Sequence, residues 1–135
     1  MRAKDIPFVE LVGVKQSGDA LFLEYEKKIS NHLKTIHAGA QYTLAETASG
    51  LYLQELFPDL VGKVVPILRE SNIKYKKPAL TKIKAFASVD DASKEKFNEQ
   101  FEKKGRALLE VSVEVVDADS NVVANASFVW FVQKI

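Results

Sequence analysis

Residues His37 to Leu56 constrain the fold most, because they have the length of a helix and almost no charge. Nothing interrupts a helix until Phe57-Pro58-Asp59, where Pro58 disfavours helical geometry in the residue before it. Between His37 and Glu55 the only formally charged residue is Glu46. A helix that is apolar or small on nearly every side belongs inside a core. The sequence therefore predicts a central helix over 37–56, with Glu46 as the residue to explain.

The faces of this helix separate Glu46 from the apolar positions. Helical spacing places Glu46 in one row of small and polar residues, together with Gly39, Thr43 and Gly50. A neighbouring row is apolar and contains Ala40, Leu44, Ala48 and Leu51. Small residues let another backbone approach closely, so we expect Glu46 to face a narrow gap, where an acid is a candidate for chemistry. An ordinary charge on a solvated stripe is the alternative interpretation.

Length, charge and cysteine content exclude several classes of protein. A chain of 135 residues with 47% hydrophobic residues predicts one domain over 1–135 with a single core. The net charge of +1 gives no general attraction to nucleic acid, so no nucleic-acid partner is expected. The lack of cysteine excludes disulfides, thiolate metal sites and cysteine nucleophiles. No segment has the composition of a signal peptide or membrane span, so we expect a cytoplasmic location.

The rest of the chain alternates between strand patterns and one short helix. The segment 91–104 carries Phe97 and Phe101 four residues apart in a charged background before Gly105, which is typical of a one-sided surface helix. Thr35 is a candidate cap for the long helix. Strands are predicted at 8–15, 20–27, 64–76, 80–89, 109–115 and 122–132. The first two read as a hairpin around Gln16-Ser17-Gly18-Asp19.

This order of elements predicts an α+β fold. An antiparallel sheet of about six strands can bury a long apolar helix on one face only by curling around it. The expected architecture is thus a sheet wrapped around one long central helix.

One motif around the helix start combines seven residues, namely Asn31, Thr35, His37, Ala38, Gly39, Leu44 and Glu46. It resembles the motif of the hotdog-fold acyl-CoA thioesterases, particularly the phenylacetate-type group, whose pattern is Asn, a loop, Thr-x-His-Gly-Gly, then Leu-x-Asp or Leu-x-Glu. The segment ending in Tyr75-Lys76-Lys77-Pro78-Ala79 also looks like the family's Tyr-x-x-Pro-Ala strand. The resemblance spans about Val9 to Val132 and implies a hotdog fold and thioesterase activity.

The chain departs from the family pattern at three places. Ala38-Gly39 replaces the pair of glycines, although Ala38 keeps its backbone amide. The position at which some members carry a catalytic Ser or Thr falls near Leu68, which leaves the helper of the acid unidentified. The insertion 91–104 is longer than the corresponding hairpin of the simplest members, and looks like that of an uncharacterised subgroup.

The chemistry that these residues suggest is hydrolysis of a thioester. The first amides of a helix lack partners within the helix, so those of Ala38 and Gly39 are a candidate oxyanion hole. Glu46 is the candidate general base or nucleophile, and Asn31 a candidate for orienting water or the carbonyl. For His37 a structural hydrogen-bonding role is favoured over a role as a base.

Distance along the helix predicts a homodimer. Glu46 follows Gly39 by seven residues, or roughly 10 Å along the helix axis, which is too far for both to serve one carbon atom. An antiparallel helix from a two-fold copy would bring Glu46 of one subunit to the helix start of the other. The resembling family also supplies its acid across such an interface. The sequence leaves open whether such dimers pair again into a dimer of dimers.

Four lysines are candidate ligands for the phosphates of coenzyme A. Lys74, Lys76, Lys82 and Lys84 alternate with apolar residues, which predicts one basic face on a hairpin. A merely solvated surface is the alternative, and Lys103, Lys104 and Arg106 are rival phosphate ligands. Coenzyme A would be part of the substrate, so no separate cofactor is expected.

Two other functions stay open on the sequence. A non-catalytic acyl-CoA-binding module is one, because one fold hosts many functions. A hotdog dehydratase or hydratase is the other, since that class pairs a working histidine with an acid. Serine hydrolase, nucleotide and metal interpretations are weak, because the chain has no G-x-S-x-G, no glycine-rich phosphate loop and no histidine pair with zinc spacing.

Overall fold

The computed structural model describes residues 1–135 and contains three α-helices and six strands. The helices are α1 (Pro7–Val12), α2 (Ala38–Leu56) and α3 (Asp91–Lys104). The strands are β1 (Lys15–Ser17), β2 (Ala20–Leu23), β3 (Val64–Tyr75), β4 (Ile83–Ser88), β5 (Arg106–Val116) and β6 (Val122–Lys134).

The predicted central helix is confirmed as α2. It ends at Phe57, whose φ of −128° and ψ of 65° are not helical and directly precede Pro58. Leu44, Ala45 and Ser49 on this helix are fully buried. They pack toward the inner face of the sheet, where Val111 and Phe128 are equally buried. The core therefore lies between α2 and one face of the sheet.

All six strands form one antiparallel sheet in the order β1-β2-β4-β5-β6-β3. Strand β5 alternates between buried and exposed residues, and β6 alternates between buried and half-buried residues from Ala124 to Val132, as expected for a sheet with one face on the core. Strand β3 pairs only with β6 and forms one edge of the sheet. The α+β architecture of six strands around one long helix is thus confirmed.

Two predictions about local structure are wrong. Residues 8–12 belong to α1 rather than a strand, because Pro7 at the first helical position fixes a helical φ and Gly13, at φ 96°, ends the helix. The hairpin survives only as β1 and β2. The strands predicted at 64–76 and 80–89 exist but are not paired with each other, since β5 and β6 lie between them. A basic face on a hairpin of these two strands is therefore also wrong.

The helix predicted at 91–104 is confirmed as α3. The carboxylate of Asp90 caps its start by accepting from the Ser93 amide at 2.7 Å, and Gly105 ends it in the left-handed region at φ 69°. Phe97 is fully buried, whereas most of the other residues of α3 are exposed. The helix packs on β5 and reaches the C-terminal end of α2 through Phe97 and Phe57, whose rings stack with centroids 4.6 Å apart.

Candidate functional site

The start of α2 is capped by His37, so the prediction of Thr35 as the cap is wrong. Nδ1 of His37 accepts a hydrogen bond from the Gly39 amide at 2.8 Å, which places the proton of a neutral ring on Nε2. A Cβ on residue 39 would lie 3.1 Å from Nδ1, so glycine suits this close approach. The amide of Ala38 has no acceptor within the chain. Of the two candidate oxyanion donors, the Gly39 amide is occupied by His37 and the Ala38 amide is free.

Asn31 organises the loop before the helix. Its Oδ1 accepts from the amides of Leu33 at 2.9 Å and Thr35 at 3.1 Å, and its Nδ2 donates to Thr35 Oγ1 at 2.8 Å. This ring of bonds explains why Thr35 does not cap α2, since its hydroxyl faces back into the loop. One proton of the Asn31 amide group has no acceptor within the chain. Asn31 can therefore donate a single further hydrogen bond.

Glu46 is half-buried and has no partner for its carboxylate. No side-chain hydrogen bond or salt bridge within the chain reaches the carboxylate, and only its backbone oxygen is used, by Ser49 Oγ at 2.7 Å. Burial raises the pKa of Glu46 above the usual 4.5. A carboxyl group that is desolvated and unpaired is a better proton acceptor than an ordinary surface carboxylate.

Half-buried residues form a stripe along α2. Tyr42, Glu46, Gly50 and Gln54 follow each other at intervals of four, and all residues between Tyr42 and Gly50 except Glu46 are buried. Glu46 therefore lies at the middle of the least covered face of α2. This face is the predicted row of small and polar residues, except that Thr43 is buried and donates to the Gly39 carbonyl at 2.9 Å.

Strand β3 lies along this stripe and runs in the opposite direction. Its last residue, Tyr75, donates to the Ala38 carbonyl at 2.9 Å, and Ser71 Oγ lies 2.9 Å from Tyr42 Oη. Further along, Leu68 pairs with Trp130, whose ring lies 3.2 Å from a Cβ built on Gly50. The stripe of α2 and the inner face of β3 thus form the two walls of a groove, with Trp130 below Gly50. We call this the α2–β3 groove.

Sequence reasoning missed Tyr42 and Ser71 as members of the site. A register shift between Leu68 and Glu70 moves the inward direction from even to odd positions, so that Ser71 faces α2. Simple alternation through β3 would point Ser71 outward. Tyr42 precedes Glu46 by one turn, so the Tyr42–Ser71 pair supplies hydroxyl groups beside the acid. The β-bulge has no recognisable local sequence signal.

The four candidate phosphate-binding lysines surround the connection between β3 and β4. This connection passes the helix start, since the Ile36 amide donates to the Ala79 carbonyl at 2.9 Å. Lys76 and Lys82 lie three residues before and after Ala79, hence within about 11 Å of it along the chain. Lys82 already contacts Glu24, at 3.7 Å, and the Phe22 ring, at 4.1 Å. Lys74 and Lys84 are exposed on strands farther from Ala79.

The arrangement offers an unpaired acid, a free helix amide and a neighbouring hydroxyl pair. No group of three or more His, Asp or Glu side chains is placed to hold a metal ion. No helix is long and apolar enough to cross a membrane.

Comparison with known families identifies the chain. Residues 14–132 match the model of the family described as "Domain of unknown function (DUF4442)". The chain belongs to the DUF4442 family. A search of curated proteins gives no match to this DUF4442 chain.

Solved structures similar to this DUF4442 protein share its hotdog fold. PA5026 from Pseudomonas aeruginosa, named a protein of unknown function and probable thioesterase, is 22% identical, with a TM-score of 0.82 over 98% of this chain and 91% of its own. BH2602 from Bacillus halodurans, whose structure contains CoA, is 25% identical, with a TM-score of 0.73 over 95% of this chain and 76% of its own. The phenylacetic acid degradation protein PaaI from Thermus thermophilus is 20% identical, with a TM-score of 0.69 over 93% and 98%. The predicted hotdog fold is thereby confirmed.

Proposed function

We propose that this DUF4442 protein is an acyl-CoA thioesterase that hydrolyses a thioester to a free acid and coenzyme A. The observation that carries the proposal is the unpaired, half-buried carboxylate of Glu46 in the α2–β3 groove. Structural neighbours named as thioesterases support the reaction class, and the CoA-bound neighbour supports the nucleotide carrier.

In the proposed reaction Glu46 takes a proton from water as the oxygen attacks the thioester carbon. The carbonyl oxygen becomes an oxyanion, which the free Ala38 amide and the positive end of α2 stabilise. Collapse of this intermediate breaks the carbon–sulfur bond, and the thiolate of coenzyme A leaves and takes up a proton. Direct attack by Glu46, which would form an anhydride that water then hydrolyses, is the variant of this mechanism.

The neighbouring residues have supporting roles in this proposal. Asn31 donates its remaining amide proton to the attacking water or the carbonyl oxygen. His37 holds the Gly39 amide and shapes the helix start. Because Nδ1 is used in this bond, the arrangement does not favour a histidine-based dehydratase. The hydroxyls of Tyr42 and Ser71 are candidates for the helper that the sequence left unidentified.

The proposed active form is a homodimer with composite sites, and a dimer of dimers is the second candidate assembly. Glu46 and Ala38 lie eight residues apart, roughly 12 Å along one helix, so a single chain cannot bring both to one carbon atom. The 12-residue edge of β3 is open to pairing, and Val65 and Ile67 on it are about half exposed. Sedimentation at micromolar concentration should give a dimer, and a monomer with full activity would contradict the composite site.

Lys76 and Lys82, with Lys74 and Lys84 beyond them, are the proposed contacts for the phosphates of coenzyme A. Their place around Ala79 puts positive charge beside the helix start, where the thioester carbonyl would lie. The rival cations lie at the end of α3, with Lys103 and Lys104 in its last turn and Arg106 just after it, and α3 contacts the opposite end of α2.

Glu46→Gln tests the central step of the mechanism. Glutamine keeps the shape but cannot accept the proton, so kcat should fall about a hundredfold to ten-thousandfold while affinity for acyl-CoA stays nearly unchanged. Free thiol release from short, long and aryl acyl-CoA substrates is the assay, and binding of acyl-CoA without release would indicate a binding module instead.

Glu55→Gln is the matched control for this variant. Glu55 lies on the opposite face of the same helix and is exposed, and burial and the nearby Asp19 raise its pKa too. The control should retain wild-type turnover. Near wild-type hydrolysis by Glu46→Gln would exclude Glu46 as base or nucleophile.

A further inference from the structure

An apolar cavity lies at the C-terminal end of α2, beyond the α2–β3 groove. The cavity has a volume of about 190 Å³ and is lined mostly by hydrophobic side chains. It lies at the opposite end of the helix from Ala38 and contains none of the proposed catalytic residues. Its apolar walls include Leu53, Phe57, Leu60, Val64, Pro66 and Val132.

The cavity continues the groove on the face that carries Glu46. Leu53 and Phe57 follow Glu46 by seven and eleven residues, spacings that return to the same side of a helix. On the other wall, Val64 and Pro66 precede Leu68 on the inner face of β3. Glu46 and the cavity therefore lie on the same side of α2, with Gly50 and the Trp130 ring between them.

The distance from Glu46 to the cavity determines how long an acyl chain must be to reach the cavity. Seven to eleven residues correspond to roughly 10 to 16 Å of helix, which is the length of an extended chain of about eight to twelve carbons. An apolar cavity of about 150 Å³ is large enough to bind benzene, so the 190 Å³ cavity can hold about the last six carbons. An aryl ring only one or two bonds from the carbonyl would not reach it.

Helix α3 supports the wall of the cavity from behind. Phe57 lines the cavity, and its other side stacks on Phe97 at 4.6 Å, which in turn stacks on Phe101 at 5.7 Å. The insertion 91–104 thus has a structural role at the closed end of the groove.

We propose that this cavity binds the methyl end of the acyl chain and that the substrates are aliphatic acyl thioesters of about eight to twelve carbons. The inference rests on the proposed thioesterase function for the position of the thioester beside Glu46. Val64 and Phe57 then determine how long an acyl chain the cavity accepts, and α3 holds Phe57 in place.

The first test measures binding without turnover. The Glu46→Gln protein is titrated calorimetrically with butyryl-, octanoyl-, decanoyl- and phenylacetyl-CoA. The dissociation constant should fall about threefold to fourfold for each methylene that enters the cavity, and phenylacetyl-CoA should bind no better than butyryl-CoA. Equal affinity for butyryl- and decanoyl-CoA would overturn the assignment. A dimer structure in which the partner subunit fills the cavity would overturn it too.

The second test reduces the cavity by Val64→Phe and uses Leu11→Phe as its control. Val64 is half-buried in the cavity wall, whereas Leu11 is 72% exposed on α1 and does not line the cavity. The ratio of kcat/KM for decanoyl-CoA to that for butyryl-CoA should fall at least about tenfold in Val64→Phe and stay at the wild-type value in Leu11→Phe. An unchanged ratio in both variants would overturn the proposal.

Failure of this inference can be distinguished from failure of the proposed function. Hydrolysis of butyryl- or phenylacetyl-CoA in preference to decanoyl-CoA would refute the chain length and leave the thioesterase intact. Binding that depends on chain length, in a wild-type protein that hydrolyses no thioester, would support the cavity and refute the thioesterase.

Discussion

Replacement of Phe97 by alanine is expected to destabilise the protein more than any other change in α3. The ring is only 1% exposed and stacks between Phe57, at 4.6 Å and 29°, and Phe101, at 5.7 Å and 15°. Phe101 belongs to α3, whereas Phe57 directly follows α2, so the two flanking rings cannot both move into the space that the substitution leaves.

The size of the effect follows from this burial. Removal of a fully buried phenylalanine side chain typically costs about 3–5 kcal/mol, which includes the loss of aromatic stacking. At ~2.1 cal/mol/K per residue, the 135 residues give an unfolding entropy of ~280 cal/mol/K. A loss of ~3–5 kcal/mol should therefore lower the Tm by roughly 11–18 °C.

Urea denaturation followed by far-ultraviolet circular dichroism measures this loss, with thermal denaturation as a second measurement. Phe101→Ala removes a half-buried ring and should cost less, about 1–2 kcal/mol. Phe8→Ala is the control, because Phe8 is 61% exposed and its loss should change stability by less than about 0.5 kcal/mol. A cost below about 1 kcal/mol for Phe97→Ala, or one equal to that of Phe101→Ala, would refute the reasoning.

Three further predictions concern the site. Burial raises the pKa of Glu46, so folding favours its protonated form. The stability gained by Glu46→Gln should therefore be greatest above the raised pKa and vanish below pH 4.5. A difference in Tm between the two proteins that does not vary with pH would contradict this. His37→Ala removes the cap and should cost about 0.5–2 kcal/mol by urea denaturation, whereas His32→Ala in the exposed loop should cost little. The charges around Ala79 are removed by Lys74→Ala, Lys76→Ala, Lys82→Ala and Lys84→Ala. These substitutions should raise KM for acyl-CoA more than KM for a thioester without the nucleotide. Equal effects on both substrates would mean that the lysines form only a solvated surface.

The elements that the sequence predicted well are those with a strong local pattern. The near absence of charge between His37 and Glu55 identifies α2, and the four-residue spacing of Phe97 and Phe101 identifies α3. Strands β5 and β6 alternate cleanly because one face of each meets the core. In all these elements the burial of one face produces the sequence pattern that identifies the element.

The two errors have different causes, one local and one long-range. Residues 8–12 are too few for the hydrophobic period to distinguish helix from strand, and the neighbouring Pro7 favours the helix. The segments 64–76 and 80–89 are strands, but the β6 partners of β3 lie at least 49 residues further along the chain, as in the pair Tyr75 and Ala124. Sequence proximity suggested a hairpin, whereas β5 and β6 lie between these two strands in the sheet.

The candidate site could be predicted only along one of its two walls. Helical spacing alone places Glu46 in one row with Gly39 at the helix start and Leu53 at the cavity, so this wall can be predicted from the residues of α2. The opposite wall depends on the bulge after Leu68, which turns Ser71 toward Tyr42 and keeps Val64 and Pro66 facing the helix. A bulge is a compromise among paired strands, and its position follows from the register of β6 rather than from the residues of β3 themselves. The acid is thus visible in the sequence, whereas its neighbouring hydroxyls and the length of its groove become visible only when both walls are in place.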